Sequence, residues 1–312
     1  MARGLVAASL LAATGCAAIP MPENPFATAP PSEPAPTTLS VQTLGTIPQP
    51  SATQFVEGLD ALPDGNLVEA TGAVDGQPSR LMVLASATGR VLRQVDVKGV
   101  FAEGLAVVHG LPDRPPSIWL LTWHDQVALH YGTDLALLAT VPLTNPTGQG
   151  WGICFDGHEL ITSDGSATLT RRSPATLAVT GAFTVTAAGR PTIGLNELDC
   201  ADGVVWANQF PTGPGLTTPL NSGNTLFAID PYTGRAGTAA DLAGLQRAEH
   251  PGGGDPDAVP NGIAINPDGT AWITGKDWRD LVRVRLTEKM PKSVGAGYHH
   301  RGPFALRTFY DV

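Results

Sequence analysis

One short phrase recurs five times along the chain: Glu57-Gly58-Leu59, Glu103-Gly104-Leu105, Trp151-Gly152-Ile153, Asn196-Glu197-Leu198 and Asn261-Gly262-Ile263. The first residues of these copies, at 57, 103, 151, 196 and 261, lie 46, 48, 45 and 65 positions apart. Four copies are followed by an Asp-Gly pair (Asp64-Gly65, Asp156-Gly157, Asp202-Gly203, Asp268-Gly269) and then a second apolar run, the signal of a β-hairpin. A second hairpin follows in each of the first four units, over 81–97, 127–141, 169–183 and 226–240. Repeats of this length with four short strands each are propeller blades, and far longer than a β-helix rung. The expected fold is therefore all-β: a five-bladed β-propeller with four antiparallel strands per blade. The fifth unit stops early, after 281–286. Two segments compete to supply its missing outer strand and close the ring: 41–47, ahead of the first copy, and 304–310, near the end.

The N-terminus reads as export machinery. Arg3 precedes an apolar stretch over 5–13 that ends in Thr14-Gly15-Cys16 and is too short to span a bilayer. It looks like a bacterial lipoprotein signal, with cleavage before Cys16 leaving that cysteine to carry lipid. A plain secretory signal is the alternative. Seven prolines between 20 and 36 suit an extended tether. The expected organisation is a signal peptide over 1–15, a Pro-rich tether over 16–40, the propeller over 41–290 and a C-terminal tail over 291–312. The protein is expected to be exported, either anchored on the outer side of the cytoplasmic membrane or in the periplasm, or else secreted. It would touch the membrane only through a lipid anchor on Cys16.

The formal charge is −9, from 19 basic and 28 acidic residues, with no cluster of Lys or Arg, which argues against nucleic acid as a partner. Cys154 and Cys200 lie three residues after Trp151 and four after Asn196, respectively. Strand alternation puts them on opposite faces of equivalent strands, so a disulfide between them is not favoured. They are also too few and too widely spaced for a CxxC-type zinc site.

In a propeller the first strand of every blade lines the central channel, so equivalent positions on those strands meet at one end of it. Glu57, Glu103, Trp151, Asn196 and Asn261 should therefore ring one mouth. The second strands run back to the same mouth and deliver Trp123, Ser163-Asp164, Phe210 and Lys276. Such a set of convergent polar and aromatic groups is the default picture of a small-ligand site. Singly, each residue has a plainer explanation: solvated channel glutamates, tryptophans packed between blades, asparagines satisfying local backbone, a surface lysine. Their coincidence at equivalent repeat positions favours a functional mouth.

At this point the residues resemble a known family, the glutaminyl-peptide cyclotransferases of the plant and bacterial type, which are five-bladed propellers. The matching stretches are 55–59 with 65–72, 101–105, Leu121-Thr122-Trp123, Gly150-Trp151-Gly152, Ser163-Asp164-Gly165-Ser166-Ala167-Thr168-Leu169, Gly189-Arg190-Pro191 with Leu195-Asn196-Glu197-Leu198, and Asn261-Gly262-Ile263 with Thr274-Gly275-Lys276. They stand in family order over about 40–286. The resemblance implies cyclisation of an N-terminal glutamine of peptides or proteins to 5-oxoproline with loss of ammonia. It implies Glu103 as general acid/base, Asn196 as hydrogen-bond partner of the substrate's γ-carbonyl or its amine, and Lys276 as the group orienting Glu103. Phe55, Phe101, Trp123 and Trp151 would wall the pocket, with Glu57, Phe210 and Asn261 completing the substrate-binding set.

Two positions depart from the family. Glu57 stands where Gln is usual and Phe210 where Trp is usual. A second carboxyl at the mouth would either repel Glu103 and raise one pKa, or hold the substrate's α-ammonium. No cofactor and no catalytic metal are implied, and a structural ion deeper in the channel stays open. The rival functions are a non-catalytic surface propeller binding a peptide, glycan or protein partner, and a calcium-dependent lactonase or hydrolase. The Gly-, Pro- and Asn-rich stretch over 212–260 is either a lid or a solvent loop.

Overall fold

Each copy of the repeated phrase opens an inner strand. The computed structural model describes residues 39–51, 54–211, 223–250 and 257–288, and these form five antiparallel sheets. The first blade is β2 (Val56–Ala61), β3 (Leu67–Thr71), β4 (Ser79–Leu84) and β5 (Val91–Val97). The second is β6 (Ala102–Val108), β7 (Ser117–Thr122), β8 (Val127–Gly132) and β9 (Leu137–Pro142), and the third is β10 (Ile153–Phe155), β11 (Leu160–Thr162), β12 (Thr168–Arg172) and β13 (Val179–Thr184). The fourth comprises β16 (Leu195–Ala201), β17 (Val204–Gln209), β18 (Thr225–Ile229) and β19 (Arg235–Asp241). A small hairpin, β14 (Thr186–Ala187) and β15 (Arg190–Pro191), extends its outer edge through a parallel pairing with β19. The fifth has β20 (Pro260–Ile265), β21 (Thr270–Gly275) and β22 (Asp280–Glu288), and its outermost strand is β1 (Leu39–Pro48).

The N-terminal segment thus closes the ring, running antiparallel to β22 from Leu39 opposite Glu288 to Pro48 opposite Asp280. The competing segment over 304–310 lies outside the described residues. Just past β1, the Gln49 side-chain amide donates to Glu69 of the first blade and to Thr274 of the fifth, a polar latch across the seam.

The apolar core is not central. It is divided into layers between consecutive blades, because both faces of a blade meet a neighbour. Val68, Leu81 and Val83 pack against Leu105, Val107 and Ile118, and the last layer, with Leu59, Leu67, Met82, Ala264, Trp272 and Leu281, joins the fifth blade to the first. Inner strands are accordingly buried along their length, as in β6, whereas the outer strand β9 alternates exposed and half-buried residues.

The repeated glycine is explained by how closely these inner strands approach. A Cβ on Gly58 would stand 2.7 Å from the backbone N of Leu105, one on Gly104 2.4 Å from the carbonyl of Trp151, and one on Gly152 2.0 Å from the carbonyl of Asn196. Gly104 N–H donates directly to that Trp151 carbonyl across the blade boundary, at 2.8 Å. The fourth copy has Glu197 in this place, and its side chain fills the space the glycines leave.

Two expectations change. Cys154 and Cys200 form a disulfide, with Cα atoms 5.4 Å apart. They do face opposite sides of equivalent strands, but on successive blades opposite sides are the ones that meet: Cys154 lies in the layer between the third and fourth blades, and Cys200 packs against it. Within the stretch over 212–260, β18 and β19 are the hairpin expected over 226–240, and the unexpected element is a short helix, α1 (Ala243–Glu249). Gln246 in that helix accepts from the Trp278 indole, and Glu249 accepts from the Asp280 backbone, so α1 braces the turn that follows β21. The segments 212–222 and 251–256, on which a lid would depend, lie outside the described residues.

Gly104→Ala is expected to lower unfolding free energy by about 3 kcal/mol, because backbone rather than a movable side chain blocks the new methyl; a urea transition at the wild-type midpoint would contradict the strand-approach argument. Cys200→Ser should cost about 3 to 4 kcal/mol for a loop of this size, read as a lowered Tm under non-reducing conditions and no further loss on adding reductant.

Candidate active site

The mouth residues owe their aim to a break in the strand ladder. Pairing of the first hairpin shifts register between Val56 and Gly58, Ala102 and Leu105, Leu195 and Leu198, and Pro260 and Ile263. The residues inside those shifts include Glu57, Glu103, Asn196 and Asn261. A bulge of this kind takes a residue out of the alternation and points it along the channel.

The four side chains are buried and joined by polar contacts. Lys276, just beyond β21, places Nζ 3.0 Å from Oε2 of Glu57. Asn261 Nδ2 donates to the same oxygen at 2.8 Å and to the Val56 carbonyl at 3.0 Å. Asn261 Oδ1 in turn accepts from Asn196 Nδ2 at 3.0 Å. Glu103 lies within hydrogen-bonding reach of Glu57 and feels the charge of Lys276. The lysine's ion pair is thus with Glu57, and its charge also acts on Glu103. Glu57 is 1% exposed and Glu103 6%, and one oxygen of Glu57 is already engaged by Lys276 and Asn261.

Around the polar centre runs an aromatic wall. Phe55 meets Phe101 edge-to-face at 6.5 Å, Phe101 meets Trp123 at 5.5 Å, and Trp151 meets Phe210 edge-to-face at 6.0 Å. Lys276 Nζ lies 4.5 Å from the Phe55 ring centre and 5.0 Å from that of Phe210, so it closes the circle from below by cation–π contact. The two indoles are clamped by one acceptor: Trp123 Nε1 and Trp151 Nε1 donate to Oε1 of Gln149 at 2.8 and 3.0 Å. Gly72 and Gly165 seat the rings of Phe101 and Trp151, since a Cβ at either would stand within 3 Å of ring carbons. Trp123, 38% exposed, forms the rim. Ser163 and Asp164 turn out to organise backbone: Ser163 Oγ links Gly152 N–H to the Asn196 carbonyl, and Asp164 Oδ1 accepts from Ser166.

Three participants escaped the sequence. Gln149 carried no signal, because its role exists only once two indoles converge on it. Asn208, in β17, donates to the Pro260 carbonyl at 2.6 Å and supports Asn261. Glu197 did carry a signal, as the one copy with a side chain in the glycine place. It is fully buried and accepts from Leu59 N–H at 3.2 Å, and its other oxygen has no donor among the described residues.

The electrostatics follow from burial. Desolvation pushes Glu103 well above the usual carboxylate range, and repulsion from Glu57 adds to this while Lys276 opposes it. Glu57 is also raised by desolvation, with Lys276 pulling it back. Burial disfavours the charged lysine, yet the combined attraction of Glu57 and Glu103 outweighs it and leaves Lys276 above its ordinary value. Deeper down, Glu197 is held well above the usual range by desolvation. Asp60 accepts from Val107 N–H of the next blade and is pushed up to about 8 by desolvation and the charge of Asp199. Asp199 does the same for Ile265 N–H and is pushed up to about 6 by desolvation. Among the described residues no group of three or more His, Cys, Asp or Glu is arranged to hold a metal ion.

A family model described as glutamine cyclotransferase matches residues 10–286. The chain belongs to this family. It is similar to the glutaminyl-peptide cyclotransferase of Arabidopsis thaliana, 30% identical over 241 residues that make up 77% of this chain and 69% of that protein. The fold matches the crystal structure of Myxococcus xanthus glutaminyl cyclase with a TM-score of 0.68 and 29% identity, covering 82% of this chain and 100% of that one. The cyclotransferase family and the five-bladed propeller expected from the repeat are therefore both found.

The buried carboxyls set the sign of a stability measurement. Asp60, Asp199 and Glu69, the last pushed up to about 7 by desolvation, bind protons more tightly folded than unfolded. Their contribution is complete below the unfolded carboxylate range, near pH 4, and is lost as pH rises through about 6 to 8. Tm should fall across this window, and a scanning-calorimetry series in which it rises would contradict the assignment.

Proposed function

We propose that the mouth cyclises an N-terminal glutamine of peptides or proteins to 5-oxoproline and releases ammonia, with Glu103 as general acid/base. The observation that carries this reading is the placement of Glu103: a carboxyl with a raised pKa, 6% exposed, that meets Glu57 and feels Lys276, next to the linked amides of Asn261 and Asn196 that hold Glu57. In the reaction the substrate's free α-amine attacks the carbon of its own side-chain amide. One N–H proton must leave the amine as the ring C–N bond forms. One proton must reach the amide nitrogen as the second C–N bond breaks and ammonia departs. Glu103 is suited to carry both, because a carboxyl lifted toward neutrality exchanges protons in either direction at working pH.

Asn196 Nδ2 gives one hydrogen to Asn261 and keeps the other for the oxygen of the substrate amide as negative charge develops there. Lys276 places a fixed positive charge below the same spot. The ring of Phe55, Phe101, Trp123, Trp151 and Phe210 excludes water and receives the aliphatic part of the glutamine side chain. Family membership supports the reaction class, and the chemistry of the mouth supports the division of roles. We further propose export, with Cys16 as the lipid attachment point; the Cys154–Cys200 disulfide favours the same oxidising compartment.

The test is to incubate the purified protein with a glutamine-led dipeptide and follow ammonia and pyroglutamyl product. Glu103→Gln is expected to keep the wild-type Tm within a few degrees and to lose activity by about 100-fold or more. Binding of the dipeptide without turnover by the wild type would instead make the mouth a recognition site.

A further inference from the structure

The two carboxyls at the mouth pose a satisfaction problem that the reaction outlined above does not use. Oε2 of Glu57 is held by Lys276 and Asn261. Oε1 is buried and has no N–H or hydroxyl donor among the described residues, and the carboxyl within hydrogen-bonding reach of Glu57 is that of Glu103, which leaves Oε1 as the oxygen to meet it. Two carboxylates cannot satisfy each other, since both are acceptors only. A single proton between them resolves the contact, and the lysine decides where it rests: Glu57, paired with the ammonium, is the carboxylate, and Glu103 is the acid that donates to it.

We infer that Glu57 is a positioning residue for the cyclisation, the buried carboxylate that holds Glu103 in its acid form and takes up that acid's proton when Glu103 collects one from the substrate amine. This rests on the cyclase reading of the mouth. The proton count balances. As the amine N–H bond breaks, its hydrogen joins the free oxygen of Glu103 while the hydrogen on the other oxygen crosses to Oε1 of Glu57. When the amide C–N bond breaks, Glu103 delivers a proton to the leaving nitrogen and recovers one from Glu57, so the couple ends as it began. Glu103 is neutral in every resting state, and the charge that changes is buried on Glu57 beside Lys276. The usual family residue at this place, glutamine, can offer an N–H to Glu103 but cannot receive a proton from it. The other charged groups facing the couple are Glu197 from β16, which disfavours further negative charge, and Asp257, which acts on Lys276.

The couple is tested by infrared difference spectroscopy and by pH profiles of kcat. At pH 7 the spectrum of wild type minus Glu103→Gln should contain the carbonyl stretch of a protonated carboxylic acid, and this band should be lost in Glu57→Gln, where Glu103 becomes the partner of Lys276. The profile of kcat in the wild type should fall on the alkaline side as the shared proton is removed. Glu57→Gln should lose that limb, and Glu57→Asp should retain both band and limb. A wild type without the band, or a Glu57→Gln protein that keeps band and limb, overturns the inference. The band does not depend on turnover, so a protein that shows it but releases no ammonia sinks the cyclase reading while leaving the carboxyl couple in place.

Discussion

The close approach of neighbouring inner strands is the constraint on which the other features depend. Where Gly58, Gly104 and Gly152 meet the next blade there is no room for a Cβ, and the strands can join there by a direct backbone hydrogen bond from Gly104 to Trp151. The segments of Gly58 and Gly104 also carry the register shifts that turn Glu57 and Glu103 out of their ladders, and equivalent shifts in the fourth and fifth blades turn out Asn196 and Asn261. Tight packing and site geometry therefore have one local cause. The glycine allows the contact, and the bulge it accompanies aims the preceding residue.

A narrow channel lined in this way removes water from whatever it holds. That explains why carboxyls dominate its electrostatics and why so many are lifted: Glu57 and Glu103 at the mouth, Glu197, Asp60 and Asp199 further along. Among the described residues the single buried lysine, Lys276, cannot neutralise the set, and its ion pair goes to Glu57, which is less exposed than Glu103. The remaining carboxyls lower their cost by holding protons or by accepting backbone N–H groups from the next blade, as Asp60 does from Val107 and Asp199 from Ile265. Proton affinity at the mouth is thus a product of the same packing that closes the ring.

Most of the site was legible because a repeat converts sequence position into spatial position. Equivalent residues of successive copies must converge, so Glu57, Glu103, Asn196 and Asn261 could be gathered from the spacing, and the motif around Ser163 to Leu169 and Leu195 to Leu198 added the family. What escaped needed contacts between copies. Gln149 matters only as the shared acceptor of two indoles, and Asn208 only through Asn261. The disulfide was not legible because strand alternation puts Cys154 and Cys200 on opposite faces, and only the stacking of neighbouring blades brings those faces together. Helix α1 was missed because seven residues inside a Gly- and Pro-rich stretch show too little periodicity.

The sequence by itself determined the number of blades, their strand order and the set of side chains at the mouth, since hairpin turns, period and repeat phase are local properties of the chain. Only the tertiary structure decided which strand closes the ring, that the cysteines are joined, and that Lys276 pairs with Glu57 while Glu103 faces them both. Those outcomes turn on distances of a few ångströms between residues far apart in sequence. Burial and charge at that range, rather than any pattern along the chain, choose the partner.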